Sequence, residues 1–212
     1  QTGRGEQQRK ARSGERADVF ASANLEHPQA LVTAGKARGM RPFARNALCA
    51  LVGPGVAVDS ESLVERMLDA RIKLGTSTPK ADPSGDYAFE MFERIESTGA
   101  APPGAAVRLK TKALQLTGGP NSPPPPLDRN VYAALTAEGK ADVFITYCTN
   151  AEVARKEVPQ LQTLAVPEAI NVFASYGIAV MQPPSAAAQR FVQFVLGAAG
   201  LRRLAELGFL AP

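Results

Sequence analysis

Apolar residues arrive along this chain in short runs broken by polar corners, and the runs follow two different periods. Ala47-Leu48-Cys49-Ala50-Leu51-Val52 is apolar without interruption and stops at Gly53-Pro54-Gly55, the pattern of a buried strand closed by a turn. Asp86-Tyr87-Ala88-Phe89-Glu90-Met91-Phe92-Glu93-Arg94-Ile95 spaces its apolar residues at helical intervals instead, so it reads as a strongly amphipathic helix. On the same criteria, 19–23, 72–76, 143–146, 161–166 and 176–181 read as further strands. Helices are expected over 28–34, 61–70, 131–138, 151–157, 186–196 and 198–207, with Gly35, Gly139 and Gly208 as stops. A surface helix is expected over 5–13, which has helix-forming composition but almost no apolar stripe, and 107–116 is ambiguous between helix and strand. Strands alternating with helices imply an α/β fold with largely parallel sheets.

One phrase occurs twice: Ala17-Asp18-Val19-Phe20-Ala21-Ser22 and Ala141-Asp142-Val143-Phe144-Ile145-Thr146, each with a glycine shortly before it. Either copy reads as a helix end at Gly14 or Gly139, a polar corner at the aspartate, and a short buried strand that delivers Ser22 or Thr146 at its tip. Two such units suggest two similar α/β lobes with a ligand crevice, although a match this short also arises by chance in alanine-rich sequence.

Composition narrows the classes. At 212 residues, with 45% hydrophobic and 21% charged residues, the chain has the make-up of a globular protein able to bury a core. No apolar run approaches the roughly 18 residues of a membrane span. The net charge is +4, and the surplus is concentrated near the start at Arg4, Arg9, Lys10, Arg12 and Arg16, without interleaved aromatics. That stretch reads as a solvated helix face, and nucleic acid is not an expected partner. Cys49 and Cys148 follow no metal spacing; each suits a small buried hydrophobe, with a disulfide between them left open.

Three loops rich in small polar residues, 76–85, 128–131 and 146–150, follow strands or open helices. Together they would present the hydroxyls of Ser84, Tyr147 and Thr146 and backbone N–H groups at three helix starts, a set that favours a compact oxyanion without a full positive charge. The plainer account is that they are ordinary caps and turns, and Asp82 and Asp86, which flank Ser84, read as capping carboxylates. Catalysis has little support. His27 is the single histidine and stands before Pro28 at a helix start, a Cys148/His27 dyad would lack an orienting third group, and no Walker or G-x-G-x-x-G motif occurs. Among enzymes, a transferase using the same crevice would need a titratable pair that the sequence does not offer.

Residues 14–24, the strand after Phe43-Ala44-Arg45-Asn46, the Asp82-Pro83-Ser84-Gly85-Asp86-Tyr87-Ala88 loop and Gly139-Lys140-Ala141-Asp142-Val143-Phe144-Ile145-Thr146-Tyr147 resemble, in order and spacing, the periplasmic molybdate-binding protein of molybdate ABC transporters. The resemblance extends from about residue 14 to Gly208-Phe209. It implies a two-lobed type II periplasmic binding protein whose lobes close on molybdate or tungstate and deliver it to permease subunits, with no further cofactor and no cation site. By that resemblance, 1–46 and 177–212 form the first lobe and 47–176 the second, with hinges near Asn46 and Tyr176. Ser84 then stands at a backbone N–H donor position, Val131 at another and Tyr147 at a tyrosine hydroxyl donor. The family's first strand and first ligand loop have no counterpart here, and Arg4 within Thr2-Gly3-Arg4-Gly5 falls where a second ligand serine is expected. Arg4 would suit a carboxylate, sulfate or phosphate, so another small anion is the alternative ligand. A first lobe lacking a strand would also favour self-association through unpaired sheet edges.

Overall fold

The computed structural model describes residues 17–124, 126 and 128–212. The expected helix over 5–13 and the position of Arg4 lie outside them. The chain divides into two compact units, one formed by the residues up to Asn46 with Phe173–Pro212, the other by Ala47–Val172.

In the first unit, strand β1 (Val19–Ser22) lies antiparallel to β7 (Phe173–Met181), with Val19 opposite Val180 and Ser22 opposite Gly177. β7 neighbours β2 (Ala37–Val52), whose first part belongs to this unit. Helix α1 (Glu26–Thr33) packs so closely on β7 that a Cβ at Gly177 would stand 2.8 Å from the Pro28 ring. The core gathers Phe43, Ala44, Ile178 and Val192, extended by edge-on rings of Tyr176 with Phe43 at 6.0 Å and with Phe209 at 5.3 Å. Helices α7 (Ala186–Leu196) and α8 (Ala198–Glu206) complete it, and Arg45 and Leu210 exchange backbone hydrogen bonds of 2.9 and 2.8 Å.

The second unit is built on five strands in the order β6-β2-β5-β3-β4, where β3 is Leu74–Ser77, β4 Leu114–Thr117, β5 Val143–Tyr147 and β6 Gln162–Ala165. The α/β architecture matches the expectation, but the sheet is mixed. β3 runs parallel to β4 and β5, whereas β2 runs antiparallel to β5 and β6. A strand that enters the sheet from another unit is not held to the right-handed crossover that makes strand–helix–strand repeats parallel. Leu48, Leu51, Phe144 and Ile145 are fully buried, which accounts for the uninterrupted apolar runs of β2 and β5.

Helices α2 (Leu63–Leu68), α3 (Pro83–Ser97), α4 (Ala105–Lys112), α5 (Val131–Ala137) and α6 (Cys148–Glu157) flank this sheet. The ambiguous stretch 107–116 resolves into the end of α4 and most of β4, divided at Ala113, whose backbone is not helical. α3 begins three residues before the expected position because Pro83 is at its first turn, where a missing N–H costs nothing. Cys49 and Cys148 form a disulfide that ties β2 to the first residue of α6, so neither is a free buried thiol.

Candidate functional site

β3 and β5 are adjacent parallel strands, so their carboxyl ends, at Ser77 and Tyr147, open on the same edge of the sheet. That edge is where open α/β sheets hold ligands, because each strand there feeds a helix whose first N–H groups lack intrahelical partners.

The link from β3 to α3 is tight. Asp82 is the N-cap of α3, its Oδ1 accepting from the Ser84 N–H at 2.9 Å. Lys80 adopts φ of +67°, an uncommon conformation for a residue with a side chain, and its N–H donates to Asp86 Oδ1 at 2.7 Å. Gly85 lets the first turn of α3 settle onto the preceding backbone: an added Cβ would lie 2.5 Å from Ser77 O and 2.7 Å from Pro79 N. The loop after β4 packs on this corner from the side. Thr78 donates to Thr117 O from both its N–H (2.8 Å) and its hydroxyl (3.0 Å), and a Cβ at Gly118 would fall 2.6 Å from that of Asp82.

The hydroxyls gather at the same edge. Ser84 Oγ and Thr146 Oγ1 are 3.3 Å apart, joining the start of α3 to the end of β5, and Asn150 Nδ2 donates to Thr146 Oγ1 at 3.1 Å. Ser84 is 1% exposed, Thr146 0% and Tyr147 4%. The rings of Tyr87 and Tyr147 stand 6.0 Å apart. From α5, Tyr132 packs on the sheet, its ring meeting Phe144 edge-on at 5.3 Å. Burial pushes the Tyr132 phenol above the usual tyrosine range, and the Asp82 carboxylate adds to the rise.

The helix starts differ in how their N–H groups are used. Asn130 Oδ1 caps α5 by accepting from Tyr132 N–H and Ala133 N–H, both at 3.0 Å, and passes over the N–H of Val131. α6 follows Tyr147 without a side-chain cap. The N–H of Ser84, expected as a free backbone donor, is bound to Asp82 and its hydroxyl lies against Thr146, while Val131 and Tyr147 stand at the starts of α5 and α6.

The sequence pattern singles out Ser84, Val131, Tyr147 and Thr146 but not the neighbouring Tyr132. The available signal was an aromatic residue with a polar tip directly after Val131, on a helix capped by Asn130. In the other unit, Ser22 Oγ lies 3.3 Å from His27 Nδ1 and Asn24 Oδ1 accepts from the His27 N–H at 2.9 Å, so the tip of β1 is tied to α1. A Cys148/His27 dyad is ruled out by the disulfide. Among the described residues, no group of three or more His, Cys, Asp or Glu is placed to hold a metal ion, and no helix is long and apolar enough to cross a membrane. A groove of about 440 Å³ lies at Leu68, Val107, Arg108 and Lys112, with no residue in common with the hydroxyl cluster.

A mixed α/β chain in two units has the periplasmic-binding-protein-like fold. The chain belongs to the bacterial extracellular solute-binding protein family, whose model matches residues 1–210. An uncharacterized protein of Pasteurella multocida (strain Pm70) is 36% identical over 199 residues, covering 93% of this chain and 80% of its own. Two solved structures share the fold. The substrate-binding domain of a candidate molybdenum ABC transporter from Clostridium difficile has a TM-score of 0.73 at 18% identity, covering 98% of this chain and 82% of its own. The sulfate-binding protein SubI of Mycobacterium tuberculosis has a TM-score of 0.70 at 19% identity, covering 96% and 72%.

Proposed function

We propose that this extracytoplasmic solute-binding protein captures a tetrahedral oxyanion, molybdate or tungstate, and passes it to the permease subunits of an ABC transporter. The observation that carries the reading is the donor set at the ends of β3 and β5. The hydroxyls of Ser84 and Thr146 meet there, Tyr147 closes β5, and the N–H of Val131 is left out of its helix cap. These groups are neutral, with Ser84, Thr146 and Tyr147 almost wholly buried and Val131 partly so, and they stabilise an anion through hydrogen bonds and helix dipoles in surroundings that strengthen both. The molybdenum-transporter domain of like fold supports the choice of ligand. A second reading, sulfate or another small anion on the same fold, is favoured by the near-equal likeness to the sulfate-binding protein.

Thermal unfolding in the presence of molybdate, tungstate, sulfate, phosphate and small carboxylates separates the two. A ligand that binds only the native state raises the melting temperature, by about 2.7 kcal/mol of added stability at a hundredfold excess over Kd. Molybdate or tungstate should give the largest rise. A rise confined to sulfate moves the assignment to the second reading, and a rise confined to carboxylates rejects an oxyanion site.

A further inference from the structure

We propose that the hydroxyl of Ser77, the last residue of β3, is a further ligand-contacting group of this site, donating to the anion held at the carboxyl ends of β3 and β5. The inference rests on the oxyanion reading and adds to it a residue that the resemblance to molybdate-binding proteins does not supply.

Position comes from the sheet register. β3 and β5 run parallel with Gly75 beside Phe144 and Thr76 beside Ile145, so the next residues, Ser77 and Thr146, also stand side by side. Side chains alternate along a strand, which puts Ser77 and Thr146 on the face that carries Gly75 and Phe144. The Phe144 ring lies over Gly75, where an added Cβ would meet it at 2.7 Å. On that face an apolar pair is therefore followed by a pair of hydroxyls as the two strands reach the edge where α3 begins. Thr146 belongs to the site by the 3.3 Å approach of its Oγ1 to Ser84 Oγ, and Ser77 is its neighbour on the adjacent strand.

The hydroxyl itself is the second observation. Ser77 is 0% exposed, and among the described residues its Oγ has no hydrogen-bond partner. A buried hydroxyl left unpaired is destabilising, and an alanine at this position would avoid that cost. Thr146 is differently placed, since its Oγ1 accepts from Asn150 and lies against Ser84. Ser77 thus keeps a proton and two lone pairs uncommitted inside the fold. Thr76 and Thr136 also bury hydroxyls without partners among the described residues, but they lie elsewhere. Thr76 alternates to the opposite face of the sheet, and Thr136 lies next to Gly53, whose N–H pairs with Asp142 at the amino end of β5. Ser77 is the one at the edge where Ser84 and Thr146 meet, and an anion there supplies the acceptor that the fold withholds.

Calorimetric titration of wild type and Ser77→Ala with molybdate, tungstate and sulfate tests the assignment, together with thermal unfolding of both proteins without anion. Ser77→Ala should bind about tenfold more weakly the anion that wild type binds, the loss expected for one donor to a buried charged acceptor. Its melting temperature in the absence of anion should stay at or above that of wild type. A structural hydroxyl does not give this combination, because removing an internal hydrogen bond lowers the unliganded melting temperature. Unchanged affinity in Ser77→Ala overturns the role of Ser77 and leaves the oxyanion function standing. A lowered unliganded melting temperature, or failure to fold, shows the hydroxyl to be paired within the protein and also overturns it. Failure of wild type to bind any of the three anions overturns both readings.

Discussion

Asn171 uses its whole side-chain amide inside the fold. Its Oδ1 accepts from Leu48 N–H at 3.0 Å and Val172 N–H at 2.8 Å, and its Nδ2 donates to Leu48 O at 3.0 Å and Val166 O at 3.2 Å. The side chain thus acts as a short extra strand against β2. Asn171→Ala would leave buried backbone groups without partners, and a loss of about 3 kcal/mol in unfolding free energy is expected. Urea denaturation measures it, and a loss below about 1 kcal/mol would show that the backbone re-pairs. Tyr132 makes a different prediction at this scale. Its folded pKa is raised, so both states are protonated below the ordinary tyrosine value of about 10. Above that, the unfolded state loses its proton first, and stability falls as pH rises through the folded value. Absorbance titration at alkaline pH should show a late step among the four tyrosines that disappears in Tyr132→Phe. An unaltered titration curve would mean that another tyrosine is responsible.

Among the elements, α3 bears most directly on the site, and its geometry turns on Gly85. All three atoms that a Cβ there would meet, Ser77 O, Pro79 N and Thr78 C, belong to backbone and lie within 2.7 Å, so no side chain can yield. Gly85→Ala should therefore lift the first turn of α3, separate Ser84 from Thr146 and cost more than about 2 kcal/mol. Gly139→Ala is the contrast. Its φ of +66° strains an alanine, but nothing stands within 4 Å, and a cost of about 1 kcal/mol is expected. Thermal unfolding of the two variants should rank them in that order, and equal costs would place the constraint in backbone conformation rather than in close approach. The helix itself was legible in the sequence from its apolar stripe; its start was not. Pro83 and Gly85 look like breakers in a string of letters, and only the close seat on Ser77–Pro79 explains why they open a helix. α6 was displaced in the same way, beginning at Cys148 rather than Ala151, because Thr149 and Asn150 have the composition of a cap.

For the molecule as a whole, each copy of the Ala-Asp-Val-Phe phrase feeds a strand, β1 in one unit and β5 in the other, but the two are unequal: β5 is buried throughout and parallel to β3, whereas β1 is antiparallel to β7, half-buried, and exposes Ala21. The first half of β2 escaped notice, because Gly39 with φ of +60° and Pro42 interrupt it and its exposed arginines break any alternation. The disulfide was equally out of reach, since pairing depends on which strands become neighbours. Cys49 lies opposite Thr146 on β5, which brings it beside Cys148 across a sequence separation of 99 residues. Closing a loop of that length removes freedom from the unfolded chain worth up to about 4–5 kcal/mol, and an extracellular family is one in which such bonds persist. Reduction should therefore lower the melting temperature by on the order of 10 °C. The Cys49→Ala/Cys148→Ala variant should melt at the reduced protein's temperature and show no response to reductant. Because the bond holds the first residue of α6, directly after Tyr147, reduction should also weaken anion binding at temperatures where the protein remains folded. Unchanged affinity on reduction, with the fall in melting temperature still present, would confine the disulfide to stability and leave the site's geometry to β5 alone.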